Sequence, residues 1–381
     1  MAILLMGSRY DLSAFILLFI GLWSYFLHKK SLISIFVLFV FFSLQFIIFI
    51  FFYIPPYYRF ISGLVWLGGL VFLLLGSKNI HYSQDLLYKY IIGVLCFTSF
   101  YIFFEGMVMD VDRPQAYFYE PSFAGLCLYS GAAGVIIILI LCKSSKIVKL
   151  QLLIIFGILV SAAFLTFSMH FLTFIFSILI FFILLFPYIF TFEFKKILIA
   201  FVIIFLIFLV GSTLVLSSHF QSRTDISDPT NLSLLAWLQG YDQMVASIIK
   251  SPVFGLGLGS TGNFIFKSEY SDILYSVGKA DLTLNDAFSL AFRLIIEIGL
   301  LFFLCFVSYL LKRILDFKNF ISFKNKHKLD ISKSTVFNFV FSLTIILGCF
   351  LKEPLYPQSF LYLGIFLFSS IPFLKVGNHI N

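Results

Sequence analysis

One short segment, RPQAYFYEPSFAG at residues 113–125, combines a cation with aromatic rings. Arg113 offers a planar fork of donors that binds phosphate oxygens bidentately. Tyr117 and Tyr119 offer flat ring faces that could support a sugar ring. The segment therefore suits a phosphorylated sugar, and the alternative is an ordinary aromatic belt at a membrane boundary.

The same segment ends in a predicted helix start that carries a carboxylate and a hydroxyl. Pro121 follows Glu120 directly, and proline is favoured at the first position of a helix. Ser122 then lies beside backbone N–H groups that have no partner within the helix and can bind an anion. We expect Ser122, beside Glu120, to assist anion binding, the alternative being a simple helix cap.

A second segment, LNDAFSLAFRLIIEIGLL at residues 284–301, places ionisable groups in apolar sequence. Asp286, Ser289, Arg293 and Glu297 follow one another at steps of three and four, so they share one helix face. At 1.5 Å per residue, Glu297 lies about 16 Å below Asp286, near the middle of a membrane. Such groups are costly in lipid and are functional candidates. We expect them to form a polar shaft from the outer loop into the membrane, with Arg293 among the groups that bind substrate. The alternative is a structural Arg293–Glu297 ion pair.

A glycine-rich segment, SPVFGLGLGSTGNF at residues 251–264, matches GxGxxG through Gly257, Gly259 and Gly262. A dinucleotide site is excluded, because neither a preceding strand nor a βαβ unit is predicted around it. Successive glycines can still turn their backbone N–H groups inward and form an anion nest, which would suit a lipid pyrophosphate. The alternative is a plain turn.

These segments interrupt a sequence that is too apolar for a soluble protein. Of 381 residues, 61% are hydrophobic and 12% charged, whereas soluble domains carry roughly 25% charged residues. Apolar runs of about 20 residues recur along the chain, which is the signature of transmembrane helices. We predict an all-α polytopic membrane protein with about 11 transmembrane helices (10–12) in one integral membrane domain, residues 1–381. The predicted spans are 12–27, 32–54, 60–76, 88–104, 123–142, 150–168, 171–190, 197–217, 284–311, 336–352 and 355–374.

The distribution of Lys and Arg predicts the orientation of these spans. Most of the 26 basic residues fall on one side, above all in the basic loop 312–335, and this side is predicted to be cytoplasmic. The smaller loop 105–122 and the large loop 218–283 then lie outside. The net charge of +8 is explained by membrane lipids, whose anionic head groups attract basic residues, and not by nucleic acid.

The large outer loop is predicted to contain short helices. Leu234, Leu238, Tyr241 and Val245 recur at helical spacing, after a helix start predicted at 228–229. This helix could lie in the membrane interface or cover a cavity between spans, and the alternative is a packed lid. Neither the five cysteines nor the six histidines show metal-ligand spacing, so no metal site is predicted.

In these features the chain resembles the O-antigen polymerase family (Wzy) and the related O-antigen ligases. Four motifs carry the resemblance: an outer-loop Arg before a Pro-Ser helix start, an Arg opening a large outer loop, P-x-x-G-x-G-x-G, and a polar helix start followed by E-x-G-L. The matching residues are Arg113, Glu120, Pro121, Ser122 and Gly125; Arg223; Pro252, Gly255, Gly257 and Gly259; and Asn285, Asp286, Glu297, Gly299 and Leu300.

Two departures favour a polymerase over a ligase within this resemblance. Ligases usually carry His-Asn before the E-x-G helix, where this chain has Asn285-Asp286. Many relatives also place an Arg in the middle of the large loop, where this chain reads NLSLLAWLQ. The catalytic base is therefore left open between Glu120, placed first, and Asp286.

The resemblance implies glycosyl transfer at the periplasmic face of the bacterial inner membrane. The substrates are glycan repeat units on undecaprenyl pyrophosphate, with Arg113 and Arg223 as the groups that hold the pyrophosphates. No metal or other cofactor is expected, since arginines can supply the positive charge. A chain-length regulator protein is a partner that the resemblance allows. The alternatives are an O-antigen ligase and, in a different class, a flippase for lipid-linked sugars.

Overall fold

The computed structural model describes residues 57–77, 82–118, 120–166, 168, 170–189, 231–261, 266–279, 287–352, 359–371 and 373, together with a few positions between 25 and 50. These residues form ten principal α-helices and no β-strand. The helices are α1 (Tyr57–Gly76), α2 (Gln84–Met107), α3 (Pro121–Leu141), α4 (Lys146–Leu165), α5 (His170–Ile189), α6 (Leu232–Lys250), α7 (Glu269–Ser276), α8 (Leu290–Lys326), α9 (Lys333–Lys352) and α10 (Ser359–Ser370).

Six of these helices, α1 to α4, α8 and α9, are long and apolar enough to cross a membrane. The prediction of a helical membrane protein is therefore confirmed. Shorter apolar helices, α5 and α10, occupy two further predicted spans. The span predicted at 88–104 is extended to the 24 residues of α2, whose first turn is capped by the Ser83 hydroxyl. The predicted spans at 12–27, 32–54 and 197–217 lie largely or wholly outside the described residues.

Helices α3 and α9 form the centre of the bundle and are almost wholly buried. Small residues allow their close approach: a Cβ atom at Gly134 would lie 2.6 Å from the ring of Phe337 in α9. Without a hydrophobic drive between helices in lipid, such small-residue contacts are a main source of packing energy. This centre positions the first turn of α3, and hence Glu120 and Ser122, against its neighbours.

Helix α8 is broken at Gly299, where φ is 78° and ψ is 172°. The glycine-rich segment fills the break. Leu256 and Gly257 donate their N–H groups to the carbonyls of Ile296 and Glu297, at 2.7 and 3.0 Å, and Leu300 N–H donates to Pro252 O at 3.1 Å. The backbone groups freed by the break are thus satisfied within the protein, as a membrane protein requires.

The stretch predicted as the basic loop 312–335 is mostly helix, because α8 continues to Lys326. Its buried side chains, Arg313, Ile314, Phe317, Phe320 and Ile321, recur at steps of three and four and face the core. The Arg313 side chain is buried. It donates to Phe368 O and Ile371 O at 2.7 and 2.8 Å, and so satisfies carbonyls at the C-terminus of α10.

The helix ends meet at two opposite ends of the bundle. At one end, which we call the loop end, the 105–120 loop lies with the starts of α3 and α5, the end of α9 and all of α6. At the other end Gln84 accepts from Thr335 at 2.9 Å, and Lys143, Lys146 and Lys149 are exposed. The charge rule for membrane proteins predicts that the loop end lies on the side of the membrane away from the cytoplasm.

Candidate functional site

The 105–120 loop is held in shape by Glu105, a residue to which the sequence analysis assigned no role. Its Oε2 atom accepts the backbone N–H groups of Gln115 and Ala116 at 2.8 and 2.7 Å. This pair of bonds holds Ala116 in a left-handed conformation, with φ at 54°, which non-glycine residues adopt only when surrounding contacts enforce it. Glu105 therefore positions the loop between Arg113 and Glu120.

Arg113 and Glu120 interact electrostatically across this loop. Burial lowers the pKa of the half-buried Arg113 guanidinium, and the negative charge of Glu120 acts in the opposite direction. Within the described part of the chain, the buried Nε atom of Arg113 has no hydrogen-bond partner. A buried donor without a partner is costly, so an oxygen-rich ligand would stabilise it.

Glu120 itself is exposed. It occupies the cap position of α3 with extended backbone, and Pro121 takes the first helical position. Ser122 is buried and donates from its hydroxyl to Glu120 Oε2 at 3.2 Å. The structure therefore brings together three of the predicted site residues.

Tyr117 is packed against the helix bundle, whereas a platform for a sugar needs a free ring face. Its hydroxyl is hydrogen-bonded to Thr98 in α2, and its ring stacks on Phe118 with centroids 4.9 Å apart. Burial raises its pKa to about 12, so the hydroxyl is neutral at physiological pH. Tyr117 thus anchors the loop to the bundle. Tyr119 lies outside the described residues.

The second predicted site forms a buried ion pair beneath the glycine-rich segment. Arg293 Nε lies 3.1 Å from Glu297 Oε1, which also accepts the Thr261 hydroxyl at 2.8 Å. Glu297 is wholly buried, in agreement with the structural interpretation of the pair. Asp286 and Arg223 lie outside the described residues.

Gly257 and Gly259 are used for packing. Both have positive φ, 95° and 79°, and the Gly257 N–H is already donated to Glu297 O. A Cβ atom at Gly259 would lie 2.8 Å from the backbone carbon of Arg59. The observed geometry therefore supports a close approach of chains here more directly than an anion nest.

Helix α6 confirms the predicted helix in the large loop and is capped at Asn231. The helix start predicted at 228–229 lies outside the described residues. The Asn231 side chain accepts from Leu234 N–H. The helix buries Gln239 and Gln243 and exposes Tyr241 and Val245. Leu235 and Ala236 are buried together with the two glutamines, and the exposed apolar side chains on the other side suit a contact with lipid.

A cavity of about 290 Å³, which we call the loop-end cavity, lies between the first turns of α5 and α6 and the last turn of α9. His170, Asn231, Trp237 and Lys352 are among its lining residues. The sequence analysis assigned none of these four a binding role. The first and last of them, His170 and Lys352, are 182 positions apart in the sequence. A regular spacing along the chain therefore could not predict that they line one cavity.

The cavity and the Arg113–Glu120–Ser122 group meet at Ser168. Its hydroxyl donates to Ser122 O at 3.5 Å and accepts the backbone N–H of His170 at 3.3 Å. The loop end therefore combines a cation, an exposed carboxylate and a cavity of mainly apolar surface. Among the described residues, no group of three or more His, Cys, Asp or Glu side chains is arranged to hold a metal ion.

Comparison with known proteins identifies no family for this chain. No protein-family model matches the chain, and no curated protein matches its sequence. The resemblance to O-antigen polymerases is therefore carried only by the motifs given above.

Proposed function

We propose that this protein is a polysaccharide polymerase that joins oligosaccharide repeat units carried on undecaprenyl pyrophosphate. In this reaction a sugar hydroxyl of the acceptor attacks the anomeric carbon of the donor. The bond from that carbon to the pyrophosphate oxygen breaks, and undecaprenyl pyrophosphate leaves with the bonding electrons. The hydroxyl proton goes to a carboxylate, for which Glu120 is the first candidate and Asp286 the second.

The observation that carries this proposal is the electrostatic pairing of Arg113 and Glu120 at the loop end. Pyrophosphate is a good leaving group, so the protein must supply a cation for it and a base for the hydroxyl. Arg113, whose buried Nε atom has no hydrogen-bond partner among the described residues, fits the first task. Glu120 is exposed and fits the second.

A flippase for lipid-linked sugars is the alternative of a different class, and the break in α8 is the feature closest to it. Transporters often use broken helices to bind substrates or ions through freed backbone groups. Here Leu256, Gly257 and Leu300 take part in hydrogen bonds that satisfy the groups at the break. The break in α8 is therefore weaker support for a flippase than the loop end is for a transferase.

The lipopolysaccharide of a deletion strain tests the proposed function. Loss of the polymerase should leave lipopolysaccharide with a single repeat unit, because ligation of one unit does not require polymerisation. Complete loss of attached antigen would instead indicate a ligase or a flippase. A ladder unchanged from the parent strain, with the deletion verified, would reject all three.

Replacement of the two candidate pyrophosphate-binding arginines should weaken polymerisation strongly. A charge-assisted hydrogen bond contributes about 1.5–3 kcal/mol, so Arg113→Ala should reduce polymer formation by roughly tenfold to a hundredfold. Arg113→Lys should restore activity in part, because a lysine lacks the bidentate fork. The same pair of changes at Arg223 is expected to behave alike. Activity would be measured as polymer formed by purified protein from lipid-linked repeat units.

The matched control is Lys267→Ala, which removes an exposed cation from the loop end outside the site. It should leave the rate unchanged. Full polymerisation by a stably expressed variant that carries both Arg113→Ala and Arg223→Ala would contradict the assignment of the two arginines.

A further inference from the structure

We infer that helix α6 lies across the loop end in the plane of the membrane and contacts lipid chains through its exposed apolar side chains. The partner of this surface is the bilayer itself. Three features support this position: the level of the break in α8, the level of the two ends of α6, and the surface that α6 leaves exposed.

Two ring contacts fix the level of α8 against α9. The ring of Phe317 stacks on that of Phe339 with centroids 4.4 Å apart, and Phe306 packs edge-on against Phe350 at 5.3 Å. The two contacts are 11 residues apart in each helix, a rise of about 16 Å, so the helices run antiparallel and level. Lys352, the last residue of α9, therefore marks the level at which the spanning part of α8 begins.

The first half of α8 does not continue along this axis. Ser289, which caps α8, donates its hydroxyl to Phe350 O. Phe306 follows Ser289 by 17 residues, a distance of about 25 Å in a straight helix, yet both contact Phe350. The helix therefore bends at Gly299, where φ is 78°, and residues 290–298 cross the loop end.

Both ends of α6 lie near the level of the last turn of α9. Close to the start of α6, the Trp237 indole N–H donates to Leu351 O at 3.0 Å. Directly after its end, Pro252 O accepts the N–H of Leu300, at the bend in α8, at 3.1 Å. A helix of 19 residues is about 28 Å long. It can start and end near one level only by lying across the bundle.

Between its ends, α6 follows the first half of α8. Gly240 lies against Ala287, since a Cβ atom at Gly240 would overlap the Ala287 carbonyl. One turn later, Met244 packs against the buried cluster of Leu256, Ala287 and Ile296. The two helical segments therefore run side by side and form one layer at the loop end.

One side of α6 is apolar and exposed. Tyr241, Val245 and Ile249 recur at steps of four, and the exposed fraction of Ile249 is 81%. The polar Gln239 lies on a different side, where its amide donates to Phe266 O at 2.9 Å. A contiguous exposed apolar surface marks an interaction site with a protein or a membrane.

The exposed row continues into the exposed surface of the spanning part of α8. The turn after α6 exposes Val253 and Phe254, and Val253 O accepts the Leu301 N–H at 3.3 Å. Leu301 and Leu304 are exposed on a helix that is long and apolar enough to cross a membrane. The exposed side of such a helix contacts lipid chains, so the row that joins it at the same level contacts them too.

Side chains suited to the head-group region accompany the apolar row. The ring of Trp237 stacks on that of Tyr241 at an interplanar angle of 10°, and these two residue types are enriched at membrane boundaries. Lys250 is exposed in the last turn of α6, and a lysine can lay its stem along apolar surface and bring its charge to the head groups. The composition of α6 therefore matches an interfacial helix.

The bend in α8 also sets the depth of the Arg293–Glu297 ion pair. Both residues belong to the part of α8 that crosses the loop end. They therefore lie near the membrane boundary, whereas the spacing along a straight helix predicted the middle of the membrane for Glu297. The segment 231–261 is then part of the membrane-bound surface of the protein.

Tryptophan fluorescence of the full-length protein in nanodiscs of brominated phosphatidylcholine tests the lipid contact and its depth. Bromine quenches tryptophan only at short range, so lipids brominated near the head group or near the chain end report depth. Ile249→Trp should add fluorescence that the shallow bromines quench more strongly. Leu311→Trp should be quenched more strongly by the deep bromines, because Leu311 is exposed midway between Phe306 and Phe317.

Asp272→Trp is the matched control in water, since Asp272 is exposed on α7. Its added fluorescence should resist both brominated lipids and be quenched by acrylamide, which is dissolved in the water. Equal quenching of Ile249→Trp and Asp272→Trp by acrylamide would overturn the lipid contact. Quenching of Ile249→Trp by neither agent would overturn it as well, and would show that a second copy or another protein covers α6. Stronger quenching of Ile249→Trp by the deep bromines would overturn the position in the plane. None of these outcomes depends on polymerase activity.

Discussion

Glu120→Gln is expected to abolish polymer formation while the protein remains folded and in the membrane. The exposed carboxylate is the group that we propose takes the proton of the attacking hydroxyl, and loss of a general base typically costs about 100- to 10,000-fold in rate. Glutamine keeps the size of the side chain and can still accept the Ser122 hydroxyl, which now donates to Glu120 Oε2 at 3.2 Å. The measurement is the rate of polymer formation by purified protein, with abundance checked by immunoblot.

Glu269→Gln is the matched control, since Glu269 is an exposed carboxylate in the first turn of α7. It should leave the rate unchanged. If Glu120→Gln polymerises normally while Asp286→Asn is inactive at normal abundance, Asp286 is the base. If both variants remain active, neither carboxylate takes the proton.

Glu297→Gln is expected to lower the stability and the amount of protein. The change removes the negative charge that faces Arg293 at 3.1 Å in a wholly buried position. Removing one partner of a buried ion pair costs about 3–5 kcal/mol, because the other charge stays buried. The measurements are the yield of monodisperse protein in detergent and its melting temperature.

A double variant with Glu297→Gln and Arg293→Met tests whether the loss of stability comes from the unpaired charge. It removes both charges, and apolar replacement of a buried pair is often close to neutral. The yield should therefore recover relative to Glu297→Gln alone. Normal yield and melting temperature in Glu297→Gln, combined with loss of polymerisation, would show that Glu297 acts in catalysis and not in folding.

Local patterns in the sequence were sufficient to predict most of the helices that the structure describes. Hydrophobic runs of spanning length predict α1 to α4, α8 and α9, because a lipid environment requires each span to be apolar throughout. Pro121 marks the start of α3 by its fixed backbone angle. The i, i+4 spacing of Arg293 and Glu297 also predicts their contact, since neighbours on one helix face are determined by the helical period alone.

Periodicity predicted helix α6 but not which way it faces. Tyr241 and Val245 belong to a regular apolar stripe, and in a soluble protein such a stripe would face the core. In the structure Gln239 and Gln243 are buried, whereas Tyr241 and Val245 are exposed. The period of a pattern is the same whether its apolar side contacts a core or a lipid, so only the surroundings decide the direction.

Contacts between distant segments were decided only by the tertiary structure. The glycine-rich segment and the E-x-G motif read as two separate features in the sequence, yet Gly257 and Glu297 are joined by a backbone hydrogen bond. The loop-end cavity likewise joins His170, Asn231 and Lys352 from three helices. A helical period relates residues within a few turns of one another, whereas the meeting of separate helix ends depends on how whole helices pack.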